Sequence, residues 1–191
     1  MNKVSQRLYG IKGLIKSEVN RKIAVELLDF GADILRSAIE SKEFTNRTYN
    51  LISSYGIGLF VDGREWKGQM AHPEALRGLF CEMDYPGRIM SNVAPGMMLE
   101  NRFNPLDGTE GNAYDYLDRF FDEYQAPKGK WQLVLVAAMF YGSAVEAKGY
   151  DVISQVSYEM ASSEVARKYK GVIKNVPNRW MGGSSFEMTA T

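Results

Sequence analysis

Cysteine and histidine are nearly absent from this chain: one of each in 191 residues, with six prolines and no excess of either charge, 23 basic side chains against 23 acidic ones. A single thiol, Cys81, excludes an internal disulfide and suits a reducing compartment. A single histidine, His72, cannot build a metal centre of the usual kind, and Glu74 close by is a weak companion. Balanced charge gives the molecule no global pull toward nucleic acid or an anionic surface. No apolar run reaches the length that spans a bilayer, so no membrane association is expected. The N-terminal "MNKVSQRLYGIKGLIKSEVNR" lacks the continuous apolar core and small-residue cleavage site of a signal peptide, and none is expected.

The motifs that carry catalysis are missing in the same way. There is no "GxSxG" elbow for a serine nucleophile and no "GKS" or "GKT" phosphate loop; "GKW" lacks the hydroxyl that holds magnesium. "YGIGLFVDG" lacks the third glycine of a dinucleotide fingerprint, and no helix opens after it. "DGTEGNAYDYLD", from Asp107, spaces its oxygens like a calcium loop, but Asn112 stands at the glycine position and Asp118 where a glutamate is required. Asp115, Asp118 and Asp122 share one face of a helix; acid–base work there would need burial to separate their pKa values. No catalytic, cofactor-binding or metal-binding residue is therefore expected, and no cofactor.

The clearest pattern present is an amphipathic stripe. Val19, Ile23, Leu27, Phe30, Ile34 and Ala38 recur every three or four residues, widened by Leu28, Leu35 and Ile39, which predicts a helix over 17–42 with Ser17 as N-cap. Residues 1–16, punctuated by Gly10 and Gly13, read as an N-terminal arm. Tyr49 to Val61 reads as one strand or two, bent at Gly56 and Gly58 and closed by an Asp62-Gly63 turn. Residues 64–129 form a long insertion with a short helix from about Pro73 and a second over "GNAYDYLDRFFDEYQ". "KWQLVLVAAMF" is a strand apolar on both faces. Asp151 is placed to cap a helix running to about Lys170. Its basic and aromatic end, Arg167, Lys168, Tyr169, Lys170, Lys174, Arg179 and Trp180, reads as a solvated helix end with some capacity for phosphate contact. Residues 171–191 read as a C-terminal tail whose Val172, Ile173, Val176, Trp180, Met181 and Phe186 are candidates for docking on the same domain or on a neighbour, and form the candidate interface. The fold class is α+β: a long N-terminal helix across a small antiparallel sheet, in one domain over 17–170.

Two short segments carry a family resemblance. "TYNLISSYG" resembles the segment after the first helix in the tail-completion, or head–tail joining, proteins of tailed bacteriophages, through Thr48, Asn50, Leu51 and Ser54, with Tyr49 in place of glycine. "YGSAVEAKG" resembles a later motif of that family through Tyr141, Val145, Glu146 and Gly149, with Gly142 for alanine and Lys148 inserted before the glycine. The resemblance covers about residues 17–62 and 130–170. It implies a virion protein, made in the host cytoplasm, that forms a homo-oligomeric ring in the phage neck or tail. Its neighbours would be other neck, portal or tail proteins, with passing contact with DNA left open. It implies no enzyme. Glu146, beside the small residues Gly142, Ser143 and Ala144, would cap or pair with a partner in its own chain or across a ring contact. Two other readings remain: a small cytoplasmic enzyme using His72, Cys81 or the Asp115–Asp118–Asp122 face, and a non-viral adaptor that binds another protein.

Overall fold

The computed structural model describes residues 3–41, 43, 50–66, 88–90, 113–139, 142–175 and 184–190. The amphipathic stripe does form a helix, but α1 runs from Lys3 to Ser41. The expected arm over 1–16 is thus largely helical and continuous with the rest of α1. Gly10 and Gly13 each cost the helix about 1 kcal/mol relative to alanine without ending it. Nor does the strand begin at Tyr49. Asn50–Ser53 make one helical turn, α2, and β1 spans Tyr55–Val61. Asp62 and Gly63 both take positive φ, 52° and 80°, as a two-residue hairpin turn requires, and β2 (Arg64–Glu65) returns along β1.

The insertion is woven into the domain. It supplies β2, β3 (Arg88–Met90) and α3 (Ala113–Glu123). The helix expected near Pro73, His72 and Cys81 all lie outside the described residues. β4 (Trp131–Ala137) pairs with β1 along seven residues, as the run of alternating apolar residues anticipates. After α4 (Gly142–Glu146), the helix expected from Asp151 to Lys170 is two: α5 (Ser154–Ser162) and α6 (Glu164–Lys168). Ser163 divides them. Its extended backbone stops α5, its hydroxyl donates to the Met160 carbonyl at 2.7 Å, and the same oxygen accepts the Ala166 N–H at 3.0 Å.

The largest departure is at the C-terminus. Residues 171–191 are not a separate tail: they contribute β5 (Val172–Asn175) and β6 (Ser184–Ala190). Among the described residues the antiparallel sheet runs β2-β1-β4-β6-β5, with β3 also on β1, so β6 is an interior strand. Of the six apolar residues expected to dock on the same domain or on a neighbour, Ile173 and Phe186 pack against the domain's own core and Val172 is exposed. Val176, Trp180 and Met181 lie outside the described residues.

Three layers result. On one face of the sheet Ala24, Leu27, Leu28 and Leu35 of α1 and Val156 and Met160 of α5 pack on Ile57, Leu59, Leu133, Leu135 and Met188. On the other, Leu117, Phe120 and Phe121 of α3 pack on Phe60, Val134 and Val136. Gly56 and Gly58 are the seats of α3. A Cβ at Gly56 would lie 2.8 Å from Leu117 and one at Gly58 2.5 Å from Phe121, closer than carbon atoms approach. The glycines expected to bend the strand instead let a helix settle on it. Gln132 is fully buried in this second layer, and neither of its amide atoms has a partner.

Candidate functional site

The first motif segment bonds the chain on either side of the second, some ninety residues on in sequence, at one end of the β1–β4 pair. Ser54, between α2 and β1, is fully buried. Its hydroxyl donates to the Leu51 carbonyl at 2.7 Å and accepts the Met139 N–H at 3.1 Å, while its carbonyl accepts the Ala138 N–H at 3.0 Å. The serine therefore extends the strand pairing past the end of β4, where backbone donors would otherwise be buried and unpaired. Next to it the Tyr55 hydroxyl donates to the Val152 carbonyl at 2.7 Å. Burial, assisted by Asp151 and Glu146, pushes the Tyr55 pKa well up, so the ring stays a neutral donor.

Glu146 closes the junction. One of its oxygens, Oε1, accepts the Ile153 and Ser154 N–H groups, both at 3.1 Å, and the Ser154 hydroxyl at 2.8 Å. These amides open α5 and have no earlier carbonyl to bond, so the carboxylate satisfies them and sits at the positive end of the helix. Asp151, expected as the cap, contributes from one step away by accepting the Gln155 N–H at 2.9 Å. Gly149, with φ 88°, makes the reversal that brings Glu146 back to α5, and Val145 packs against the core. Leu51 is buried and Asn50 opens α2; Thr48 and Tyr141 lie outside the described residues. A charge with no catalytic neighbour has here a structural use inside its own chain. Glu146→Ala is expected to cost about 1–3 kcal/mol in urea unfolding, and Glu146→Gln, which keeps an acceptor, less.

A second polar cluster lies on the opposite layer, and nothing in the sequence announces it. Arg88 of β3 stands across from Gly58 and is 4% exposed at its side chain. Its Nε donates to Glu65 at 2.7 Å, Nη1 to Asp118 at 3.0 Å and Nη2 to Asp122 at 2.6 Å, and its guanidinium lies 5.3 Å from the Phe121 ring centre. Burial works against the charge, but hydrogen bonding to Asp122 and the attraction of Glu65 outweigh it and raise the Arg88 pKa. Beside this cluster is an open depression of about 560 Å³ lined by Phe60, Arg64, Glu65, Arg88, Asp122 and Tyr124, among others. Tyr124 donates its hydroxyl to Glu187, and burial, then that hydrogen bond, pushes its pKa far up.

Two of the three aspartates weighed for acid–base work, Asp118 and Asp122, thus accept from one arginine, while Asp115 is exposed. The basic end of α6 is engaged as well. Lys168 and the Tyr169 hydroxyl both donate to Glu26 of α1 at 2.6 Å, and hydrogen bonding from Lys168 first, then Tyr169, holds the Glu26 pKa below the usual carboxylate range. Arg167, Lys170 and Lys174 are exposed, and Arg179 and Trp180 lie outside the described residues. Among the described residues no group of three or more His, Cys, Asp or Glu side chains is placed to hold a metal ion, and no helix is long and apolar enough to cross a membrane. No protein-family model, curated protein or solved structure matches this chain.

Proposed function

We propose that this chain is a structural subunit of a virion, one copy of a ring in the neck or tail of a tailed bacteriophage, in a head–tail connector or tail-completion role. It acts through subunit–subunit contacts. One observation carries the reading: α1 is far longer than the surface it covers. Its 39 residues extend about 58 Å, whereas the seven-residue strands beneath it extend only about 23 Å. Burial begins near Ile23, and residues 13–19 are all exposed, including Leu14 at 72%, Ile15 at 58% and Val19 at 48%. A helix that leaves its own sheet while keeping apolar side chains suits a neighbour better than solvent.

The buried and half-buried polar groups support the same reading. Ser54, Glu146 and Arg88 are each engaged within the chain, so none of them is held in reserve for a substrate, and three of the exposed large apolar side chains, Leu14, Ile15 and Val19, lie on α1. Sedimentation velocity and negative-stain microscopy of the purified full-length protein test the proposal. Annular particles with a narrow mass distribution are expected. A monomer at every concentration, also when mixed with portal or tail-tube components, would sink it.

A further inference from the structure

The geometry points to a specific contact: the first half of α1 of one copy docks on the α3 face of the next. This rests on the assembly reading above and names the surfaces that would meet. Residues 3–22 carry Lys3, Arg7, Lys12, Lys16, Arg21 and Lys22 against the single acid Glu18, a side-chain charge of +5. Since the chain balances 23 against 23, everything else holds 17 basic and 22 acidic groups, a charge of −5. The balanced total hides a dipolar subunit: a basic helical extension on an acidic body.

That separation selects the partner. Two extensions side by side would bring +5 against +5, which opposes a symmetric pairing of arms. An extension against the body of another copy is attractive, and the attraction also steers the encounter. α3 is an acidic surface of that body: Asp118 and Asp122 accept from Arg88, while Asp115 and Glu123 are exposed outside that cluster, with Arg119 the one basic side chain on the helix. An exposed apolar residue lies on the same side of the sheet. Phe60, Gln132, Thr189 and Val172 stand opposite one another across β1, β4, β6 and β5, so Val172 shares the α3 side with Phe60, and it is exposed.

The extension carries the matching chemistry. Ile15, Val19 and Lys22 are spaced i, i+4, i+7 and share a helix face. At about 100° per residue, Ile15 lies roughly half a turn round from Ala24, while Val19 stands at the edge of the stripe that runs through Ile23 and Leu27, so this face turns away from the one α1 presents to its own sheet. It is a second apolar edge beside positive charge. Twenty residues of helix are about 30 Å long and offer several hundred Å² on one face, the scale of one side of a specific contact. Donor surface on α1 and acceptor surface on α3 are different parts of the chain, in layers on opposite sides of the sheet. The contact is therefore heterologous: it repeats from copy to copy and closes as a ring where the rotation allows.

Charge exchange in the full chain tests this. Lys16→Glu with Lys22→Glu reverses the arm at exposed positions; Asp115→Lys with Glu123→Lys reverses the acceptor outside the Arg88 cluster. Each pair is expected to weaken self-association at least tenfold in sedimentation, with the circular dichroism spectrum unchanged. The chain carrying all four substitutions is expected to regain it. Ile15→Ser with Val19→Ser, which alters no charge, is expected to weaken it comparably. Variants that assemble like the parent would overturn the docking contact and leave the ring reading standing. A parent chain that never self-associates would overturn both. Binding of a short DNA duplex or of phosphatidylglycerol vesicles by a parent that stays monomeric, lost on arm reversal, would assign the extension to that partner instead.

Discussion

Deleting residues 171–191 is expected to abolish cooperative folding, not to remove a dispensable arm. β6 lies between β4 and β5 and pairs with β4 at seven successive positions, Trp131 with Ala190 through Ala137 with Ser184. Its departure would strip one whole side of β4, the strand at the centre of both hydrophobic layers. Met188, fully buried among Leu133, Leu135 and the helices, would leave a cavity, and buried Ser185, Thr189 and Ala190 would go with it. Removing one large core side chain costs about 2–5 kcal/mol. Adding the loss of an interior ladder exceeds the roughly 5–15 kcal/mol that holds a domain of this size together. Far-ultraviolet circular dichroism against temperature checks it: the truncated chain should show no cooperative transition. A truncated chain that melts like the parent would mean that β6 is not an interior strand. The consequence for assembly work is practical. Loss of rings on C-terminal truncation reports unfolding, whereas charge substitutions on α1 leave the core untouched.

Why the C-terminus reads as a tail is itself instructive. Ser185, Glu187 and Thr189 alternate with Phe186, Met188 and Ala190, a period of two in which the apolar set faces the core. The signal is present, but it is short, it comes after two glycines, and two of its three apolar residues are alanine and methionine. β4, with Leu133, Leu135, Val134 and Val136 on its two faces, announces itself because both faces are buried. The second half of α1 is legible for the same reason: burial writes a stripe. Residues 13–19 are exposed and pack on no sheet of their own, so the pattern there is weaker and the glycines before them look like an end. α2 reads as strand because Leu51 and Ile52 are apolar and neighbour a true strand; one turn of helix has no period to detect. For the polar junction, sequence names Ser54 and Glu146 through a resemblance and leaves Glu146 open between a cap and a partner. The oxygen that receives Ile153 and Ser154 is set by a loop turned at Gly149, and nothing local encodes it. The Arg88 cluster joins Glu65, Asp118 and Asp122 from three elements and has no sequence signature at all.

Arg88→Ala is the substitution expected to be most damaging among single changes to polar residues, at about 3–5 kcal/mol, the range for breaking a buried ion pair from one side. The three partners do not contribute equally. Asp118 and Asp122 are 45% and 69% exposed at their side chains, and water takes over when the guanidinium leaves. Glu65 is only 10% exposed and would remain a charge without its counter-ion. The Phe121 ring would also lose the guanidinium stacked against it. Most of the cost therefore comes from Glu65 and from the space vacated beside Gly58 and Phe121. This ordering can be checked in urea unfolding followed by tryptophan fluorescence, since Trp66 and Trp131 pack against each other next to β1. Arg88→Lys should be intermediate, because an ammonium cannot address three carboxylates in the plane that a guanidinium does. Arg88→Met combined with Glu65→Gln should recover most of the loss, since it fills the space and removes the stranded charge together. Asp122→Asn alone should cost less than about 1 kcal/mol. If Arg88→Ala also falls within about 0.5 kcal/mol of the parent, the cluster contributes no more than an ordinary surface site and does not hold α3 on the sheet.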